Sequence, residues 1–492
     1  MHPLLILATL IGYFALLYIV AARTSRGATS GSGDTDFFLA GRAAPWYVVA
    51  FGMIGTSLSG VTFISVPGWV GEQGFTYMQM VIGYFFGYVF IVGVLLPLYY
   101  RTGLTSIYRY LGDRFGPHAY QTGAAFFLLS RIIGSAFRLY LVVLVLESFV
   151  LKPLGISEPE GSFPLAATLI STGLIALIWL YTRKGGMRTI VWTDTLQTAA
   201  MLGALVATVY LAVDALGWTW AEVPARLVES GRTRWWVWDD WSAPNHAVKH
   251  LVAGAFVAVA MTGLDQDMMQ KNLACRNLRE AQTNMLSFST VLIGINLLFL
   301  VLGALLYAFW DTTGLPLPAA DALFPTVALD GHLGPAVGLL FLIGLLAAAL
   351  SSADGALTAL TTSTCVDLLD TPSKPDAEAL AIRKRVHLVM AGVLVAVMVA
   401  FRSVADGSVV AAIFTAANYT YGPLLGMFGY GLLFRSRPAD RWIPVVAVLS
   451  PLICYLLESS LTTHYGFSFG FALLPVNGAL TLIGLALLPR SR

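Results

Sequence analysis

Hydrophobic positions along this chain run in long unbroken stretches, not in the strict alternation of a half-buried strand or the one-sided stripe of a surface helix. Thirteen stretches stand out, at about 3–22, 44–71, 75–100, 119–151, 164–182, 188–214, 248–268, 284–309, 334–366, 386–401, 407–434, 442–458 and 467–488. Roughly 20 apolar residues in a helix cover the ~30 Å hydrocarbon thickness of a bilayer. Hydrocarbon offers no partners to exposed N–H and C=O groups, so a spanning segment without a closed barrel must be helical. The pattern predicts an all-α polytopic membrane protein with about 13 transmembrane helices.

Two of these stretches carry helix-loosening residues near mid-membrane. The second has Gly52, Gly55, Thr56, Ser57, Ser59 and Gly60, and the seventh has Thr262 and Gly263 followed by Asp265. If each opens a five-helix half, the halves are residues 44–214 and 248–434. An odd number of crossings in each makes the second an inverted copy of the first. Around them lie an extra N-terminal helix and cytoplasmic loop at 1–43, an external Trp-rich loop at 215–247 and two C-terminal helices at 435–492. Interrupted helices at matching positions of two inverted halves point to a transport site at the midplane.

Composition agrees with the pattern and narrows the function. Hydrophobic residues make up 57% and charged residues 11%, against about 25% charged in ordinary soluble domains. The net charge of +2, spread over separated loops, provides no nucleic-acid-binding patch. The sequence has no GxxxxGK[ST] loop to drive an ATP-powered pump and no HExxH; its GFSFG at 466–470 fits GxSxG, but it opens the last apolar stretch and lacks the strand-to-helix turn that an enzyme's nucleophile needs. Its expected partners are the lipid bilayer and a small-molecule solute, with no obligate protein partner. The first stretch lacks a basic leader and an A-x-A-like end, and is expected to be a retained helix.

With the N-terminus outside, 21 basic residues face the cytoplasm, and only Lys152, Arg226, Arg232, Arg234, Lys249 and Arg402 fall outside. The positive-inside rule then predicts an inner-membrane protein of the cell with its C-terminus in the cytoplasm. In the external loop, Trp218, Trp220, Trp235, Trp236, Trp238 and Trp241 suit an interfacial anchor or an external gate. Cys275, Cys365 and Cys454 are far apart and odd in number, and read as small buried side chains.

Charges inside the stretches are the candidate chemistry. Asp194, Asp354 and, near a cytoplasmic end, Asp265 are carboxylates in apolar surroundings. Each costs about 2.5 kcal/mol or more at the bilayer centre unless a cation, water or a basic group answers it. Na⁺ would do so, because the ninth stretch offers Ser351 and Ser352 beside Asp354, and a broken second stretch would free backbone carbonyls. The serines have the alternative of hydrogen-bonding back onto their own helix. Arg131 and Arg138 lie seven residues apart, on nearly one face of the fourth stretch. A guanidinium there needs an anion. Asp194, Asp354 or Glu147 could pair with Arg131, or its fork could hold a solute carboxylate.

Five segments, in order, resemble the signatures of the sodium:solute symporter family: GTSLSGVTFISVPG at 55–68, TSIYRYLGDRFG at 105–116, GGMRTIVWTDTLQ at 185–197, DQDMMQKNLACR at 265–276 and SSADGAL at 351–357. The resemblance implies a LeuT-type 5+5 inverted repeat with an additional N-terminal helix and Na⁺ as the coupling ion, without an organic cofactor. It implies that Gly55, Leu58 and Ala348 give carbonyls to Na⁺, that Ser351 and Ser352 give hydroxyls, and that Asp194 supplies nearby negative charge. Asp354 is a possible ligand of a second cation.

On the solute side, Ser57, Ser59 and Thr62 resemble the hydroxyl set, and Arg131 the carboxylate-binding arginine, of the sialic-acid-transporting members; Gln79 and Asn418 are further candidates. The sugar-transporting members carry a carboxylate where Thr76 stands and a gate tyrosine where Met261 stands, and the sodium/proline members an aspartate in place of Ser57. The expectation is sodium-coupled import of a carboxylate-bearing solute such as sialic acid or a monocarboxylate by alternating access. The alternatives are a neutral sugar or polyol, a proton-coupled version of the same fold, or a sensor on this scaffold, which is expected to need an appended signalling domain.

Overall fold

A computed structural model of the protein describes residues 2–25, 38, 40–103, 106–156, 164–402 and 409–490. The expected cytoplasmic loop after the first helix lies largely outside these residues, as do Arg26 and Arg492 and the side chains of Lys184 and Arg188. Among the described residues there is no sheet, only isolated bridges such as Ala44 with Cys275.

The apolar stretches are helices: α1 Pro3–Ser25, α2 Trp46–Ser57, α3 Gly60–Gln73, α4 Tyr77–Thr102, α5 Pro117–Leu154, α6 Leu165–Ala215, α7 Ala247–Gly263, α8 Gln266–Leu273, α9 Leu278–Thr313, α10 Ala320–Leu329, α11 Pro335–Leu368, α12 Asp376–Arg402, α13 Val409–Leu433, α14 Ile443–Tyr465 and α15 Leu473–Leu487. Helix α6 runs as one element, within which Leu165–Arg183 and Thr189–Ala215 are each long and apolar enough to cross a membrane. The sequence separates these stretches at Lys184–Gly186, yet glycines flanked by good helix formers do not by themselves end a helix.

Two spans are broken, as the loosening residues predict. Helices α2 and α3 meet at 58°, and α7 and α8 at 66°. At the first break Leu58 (φ −86°, ψ 92°) and Ser59 (φ −83°, ψ 174°) are extended. At the second, Asp265 is extended (φ −102°, ψ 123°) and its side chain accepts from the Met268 N–H at 3.2 Å, capping α8. Each break leaves helix-terminal backbone groups without intrahelical partners, a cost tolerated only where protein or a polar cavity satisfies them.

Small residues set the spacing of the helices around the breaks. A Cβ on Gly254 would come within 2.2 Å of the Met80 carbonyl oxygen, and one on Gly83 within 2.4 Å of that of Leu251, so α4 and α7 touch backbone to backbone. Helix α6 packs along both α2 and α11, with the Cβ position of Gly52 3.1 Å from the Asp194 Cβ. All three cysteines are free and buried. The external loop is tied down through Gln79, whose amide donates to the Asn245 carbonyl at 3.2 Å and accepts from the Val237 N–H at 3.4 Å. Trp220, Trp238 and Trp241 of that loop remain exposed.

Candidate solute and sodium site

The first break, α6 and α11 converge on Asp194. Its Oδ1 accepts from Ser351 Oγ at 2.7 Å and its Oδ2 from Thr56 Oγ1 at 3.2 Å, while the Gly55 N–H donates to Thr198 Oγ1 at 3.1 Å. Gly55 abuts Ser351 directly, since a Cβ on Gly55 would lie 3.3 Å from Ser351 Oγ. Leu58 turns away from helix at the C-cap of α2, and Ala348 is fully buried one turn before Ser351 and Ser352. Ser352 bonds back onto its own helix, donating to the Ala349 carbonyl at 3.0 Å. Carboxylate, hydroxyl and helix-terminal carbonyl oxygens are the hard donors that an alkali cation takes. These residues fit Na⁺.

Asp354, one turn beyond Ser351, accepts from Tyr181 Oη at 3.0 Å, Thr193 Oγ1 at 3.4 Å and the Gly355 N–H at 2.6 Å. Among the described residues no basic group lies within 4 Å of it; it is a buried carboxylate held by neutral donors.

A cavity of about 110 Å³ lies against the same break. Ser57, Ser59, Thr62 and Arg131 line it, together with Arg138, Trp69, Tyr77, Tyr84, Tyr88, Thr262 and Asn296. Gln79 and Asn418 are elsewhere: Gln79 fastens the external loop, and Asn418 donates to the Gly470 carbonyl at 3.4 Å while its own carbonyl accepts from Asn477.

The partners of Arg131 are not the expected ones. Its guanidinium pairs with Asp267 and, at 3.6 Å, with Asp265, rather than with Asp194, Asp354 or Glu147. The second break brings α8 under the middle of α5, and both aspartates are fully buried there. Lys271, counted from sequence among the cytoplasmic charges, is 2% exposed, because α8 folds back into the protein after the 66° bend. Its ammonium lies 2.8 Å from Asp194 Oδ2 and 3.6 Å from Asp267 Oδ1, and donates to Thr56 Oγ1 at 2.5 Å. Sequence reasoning missed Lys271 and Asp267. Their signal was an i,i+4 acid–base pair in DQDMMQK, directly after the predicted break. Arg138 also lines the cavity, and among the described residues no carboxylate comes within 4 Å of its guanidinium.

Two broken helices beside a mid-protein cavity, with a hard-donor cluster at one break, define a membrane carrier that works by alternating access. The comparisons agree. Residues 37–437 match the model of the sodium:solute symporter family. Mouse sodium-coupled monocarboxylate transporter 1 is 27% identical over 438 residues, covering 86% of this chain and 68% of the relative. The human sodium/iodide cotransporter is 27% identical over 449 residues, covering 86% and 66%. This chain thus spans about two thirds of the length of those two relatives. A solved structure of a Na⁺-coupled sialic acid symporter, substrate-bound and outward-open, superposes with a TM-score of 0.79 at 20% identity, covering 99% of this chain and 98% of that one.

The protein belongs to the sodium:solute symporter family. It has the LeuT-type inverted-repeat fold, and it is a multi-pass sodium-coupled transporter rather than an enzyme.

Proposed function

We propose that the protein imports a small anionic solute, a short-chain monocarboxylate, together with Na⁺. The observation that carries this reading is the charge of the cavity: two guanidiniums, Arg131 and Arg138, line it, and among the described residues no carboxylate does. Arg131 is already engaged by Asp265 and Asp267, so Arg138 is the cation available to a solute. Hydroxyls of Ser57, Ser59 and Thr62 complete the polar wall, and Tyr88 directs its own hydroxyl toward Ser57 and Thr262. Monocarboxylate and iodide, named for two of the relatives, are both anions.

Na⁺ is held at Asp194 and Ser351, with Ser352 and the carbonyls of Gly55, Leu58 and Ala348 completing its shell. Asp354 serves a second cation. Ser57 and Leu58 are adjacent on the broken segment, so solute and ion organise the same stretch of backbone. Both must bind before the gates exchange, and each Na⁺ moving inward gains about 2.3 kcal/mol per 100 mV of membrane potential. The inverted halves are residues 44–214 and 248–434, in the cell membrane, with the N-terminus outside.

The test is accumulation in proteoliposomes under an inward Na⁺ gradient, with lactate, a sialic acid, glucose and mannitol compared. Lactate is expected to accumulate above its equilibrium level. Accumulation of glucose or mannitol without lactate would overturn the anionic reading.

A further inference from the structure

A row of alternating charges joins the solute cavity to the sodium cluster: Arg131, Asp267, Lys271, Asp194. We infer that Lys271 is a tethered cation that transfers from Asp194 to Asp267 when Na⁺ binds, so that Arg131 and Na⁺ compete, through Lys271, for the two ends of one ion-pair chain. The inference rests on Asp194 belonging to the sodium site, and not on the identity of the solute.

Geometry makes the transfer short. The ammonium is 2.8 Å from Asp194 and 3.6 Å from Asp267, so it needs to close less than 1 Å to exchange one carboxylate for the other. A lysine stem has the torsional freedom for such a step, and a compact ammonium needs no fixed fork. The receiving oxygen is prepared: Asp267 Oδ1 is buried and, among the described residues, accepts no hydrogen bond, while its Oδ2 is held by Arg131. Gly355 keeps the path open, because a Cβ there would lie 2.5 Å from Asp267 Oδ1 and 2.9 Å from Lys271 Nζ.

The electrostatics fix the direction of coupling. Asp194 cannot give its full charge to Na⁺ while an ammonium sits 2.8 Å away, because two cations on one carboxylate repel. Na⁺ therefore binds best with Lys271 on Asp267. Arg131 opposes that state by neutralising Asp267 from the other side. Where a solute held by Arg138 also draws on Arg131 across the cavity, it frees charge on Asp267 and eases the transfer. Solute and Na⁺ then favour one another, and linkage requires the effect to be equal in both directions.

The two ends of the Arg131–Asp267 pair are predicted to have opposite effects on Na⁺, which a merely structural role would not produce. The measurement is the Na⁺ concentration giving half-maximal thermal stabilisation of the purified full chain, with NaCl exchanged for choline chloride at constant ionic strength and no solute added. Arg131→Gln is expected to lower that midpoint at least about five-fold, and Asp267→Asn to raise it at least about five-fold. Lys271→Met should lower it, and in that background Asp267→Asn should no longer shift it. If one variant yields no folded protein, the sign of either remaining single variant decides. Shifts of the same sign, or unchanged midpoints, overturn the inference while leaving the sodium site in place. A wild-type protein that Na⁺ does not stabilise overturns both.

Discussion

Ser351 Oγ lies 2.7 Å from Asp194 Oδ1 and donates to it, tying the middle of α11 to α6 beside the broken end of α2. Ser352, its neighbour, spends its hydroxyl on the Ala349 carbonyl. The two serines are therefore predicted to be unequal. A hydrogen bond to a charged group contributes about 1.5–3 kcal/mol. Ser351→Ala should raise the Na⁺ concentration for half-maximal uptake by roughly tenfold or more, and Ser352→Ala by less. Equal effects, or none in normally inserted protein, would remove the Ser351–Asp194 contact from the ion site.

Arg138 and Arg131 line one cavity but have different tasks. Truncating a buried charged partner typically costs about 2–5 kcal/mol, so Arg138→Gln should weaken lactate at least roughly 30-fold. Arg138→Lys should restore only part of this, since an ammonium lacks the planar fork. Competition of lactate against labelled lactate uptake at saturating Na⁺ measures both. Unchanged lactate affinity in Arg138→Gln would return the anion to Arg131.

Asp354 has three neutral donors and, among the described residues, no basic partner within 4 Å. Asp354→Asn is predicted to lower the charge moved per solute, read as the ratio of current to tracer flux in one preparation. A constant ratio with only a lower yield of folded protein would make Asp354 a structural acceptor for Tyr181 and Thr193.

Much of the fold was legible in the sequence. Run length located the helices, and residues such as Ser57, Ser59 and Gly263 marked both breaks, because a span is written locally in hydropathy and helix propensity. Asp194 and Ser351 stood out for the same reason: each is polar where hydrocarbon makes polarity costly. Which buried charges meet was not legible. Lys271 looks cytoplasmic when α8 is read as a straight continuation of α7, and only the bend brings it to Asp194. The pairing of Arg131 with Asp265 and Asp267 depends on how α5 and α8 are rotated against each other, which periodicity does not encode. Gln79 is a polar residue in an apolar run like the others, yet it serves the external loop.

Close backbone contact between α4 and α7 makes a stability prediction independent of transport. A methyl group on Gly254 would meet the Met80 carbonyl oxygen at 2.2 Å, and backbone gives way less readily than a side chain. Overpacking of this kind costs about 1–3 kcal/mol. Gly254→Ala should lower the melting temperature in detergent, whereas Gly134→Ala, with none of the described residues within 4 Å of the added Cβ, should not lower it.

The central claim is that Na⁺ energises the uptake of an anionic solute, and replacement of the cation tests it most directly. Proteoliposomes held at a fixed inside-negative potential take up labelled lactate with either Na⁺ or choline outside, at equal pH on both sides. Lactate is predicted to accumulate with Na⁺ and only to equilibrate with choline. Equal accumulation in choline, abolished instead by a protonophore that lets protons equilibrate with the potential, would contradict sodium coupling and assign the driving force to protons.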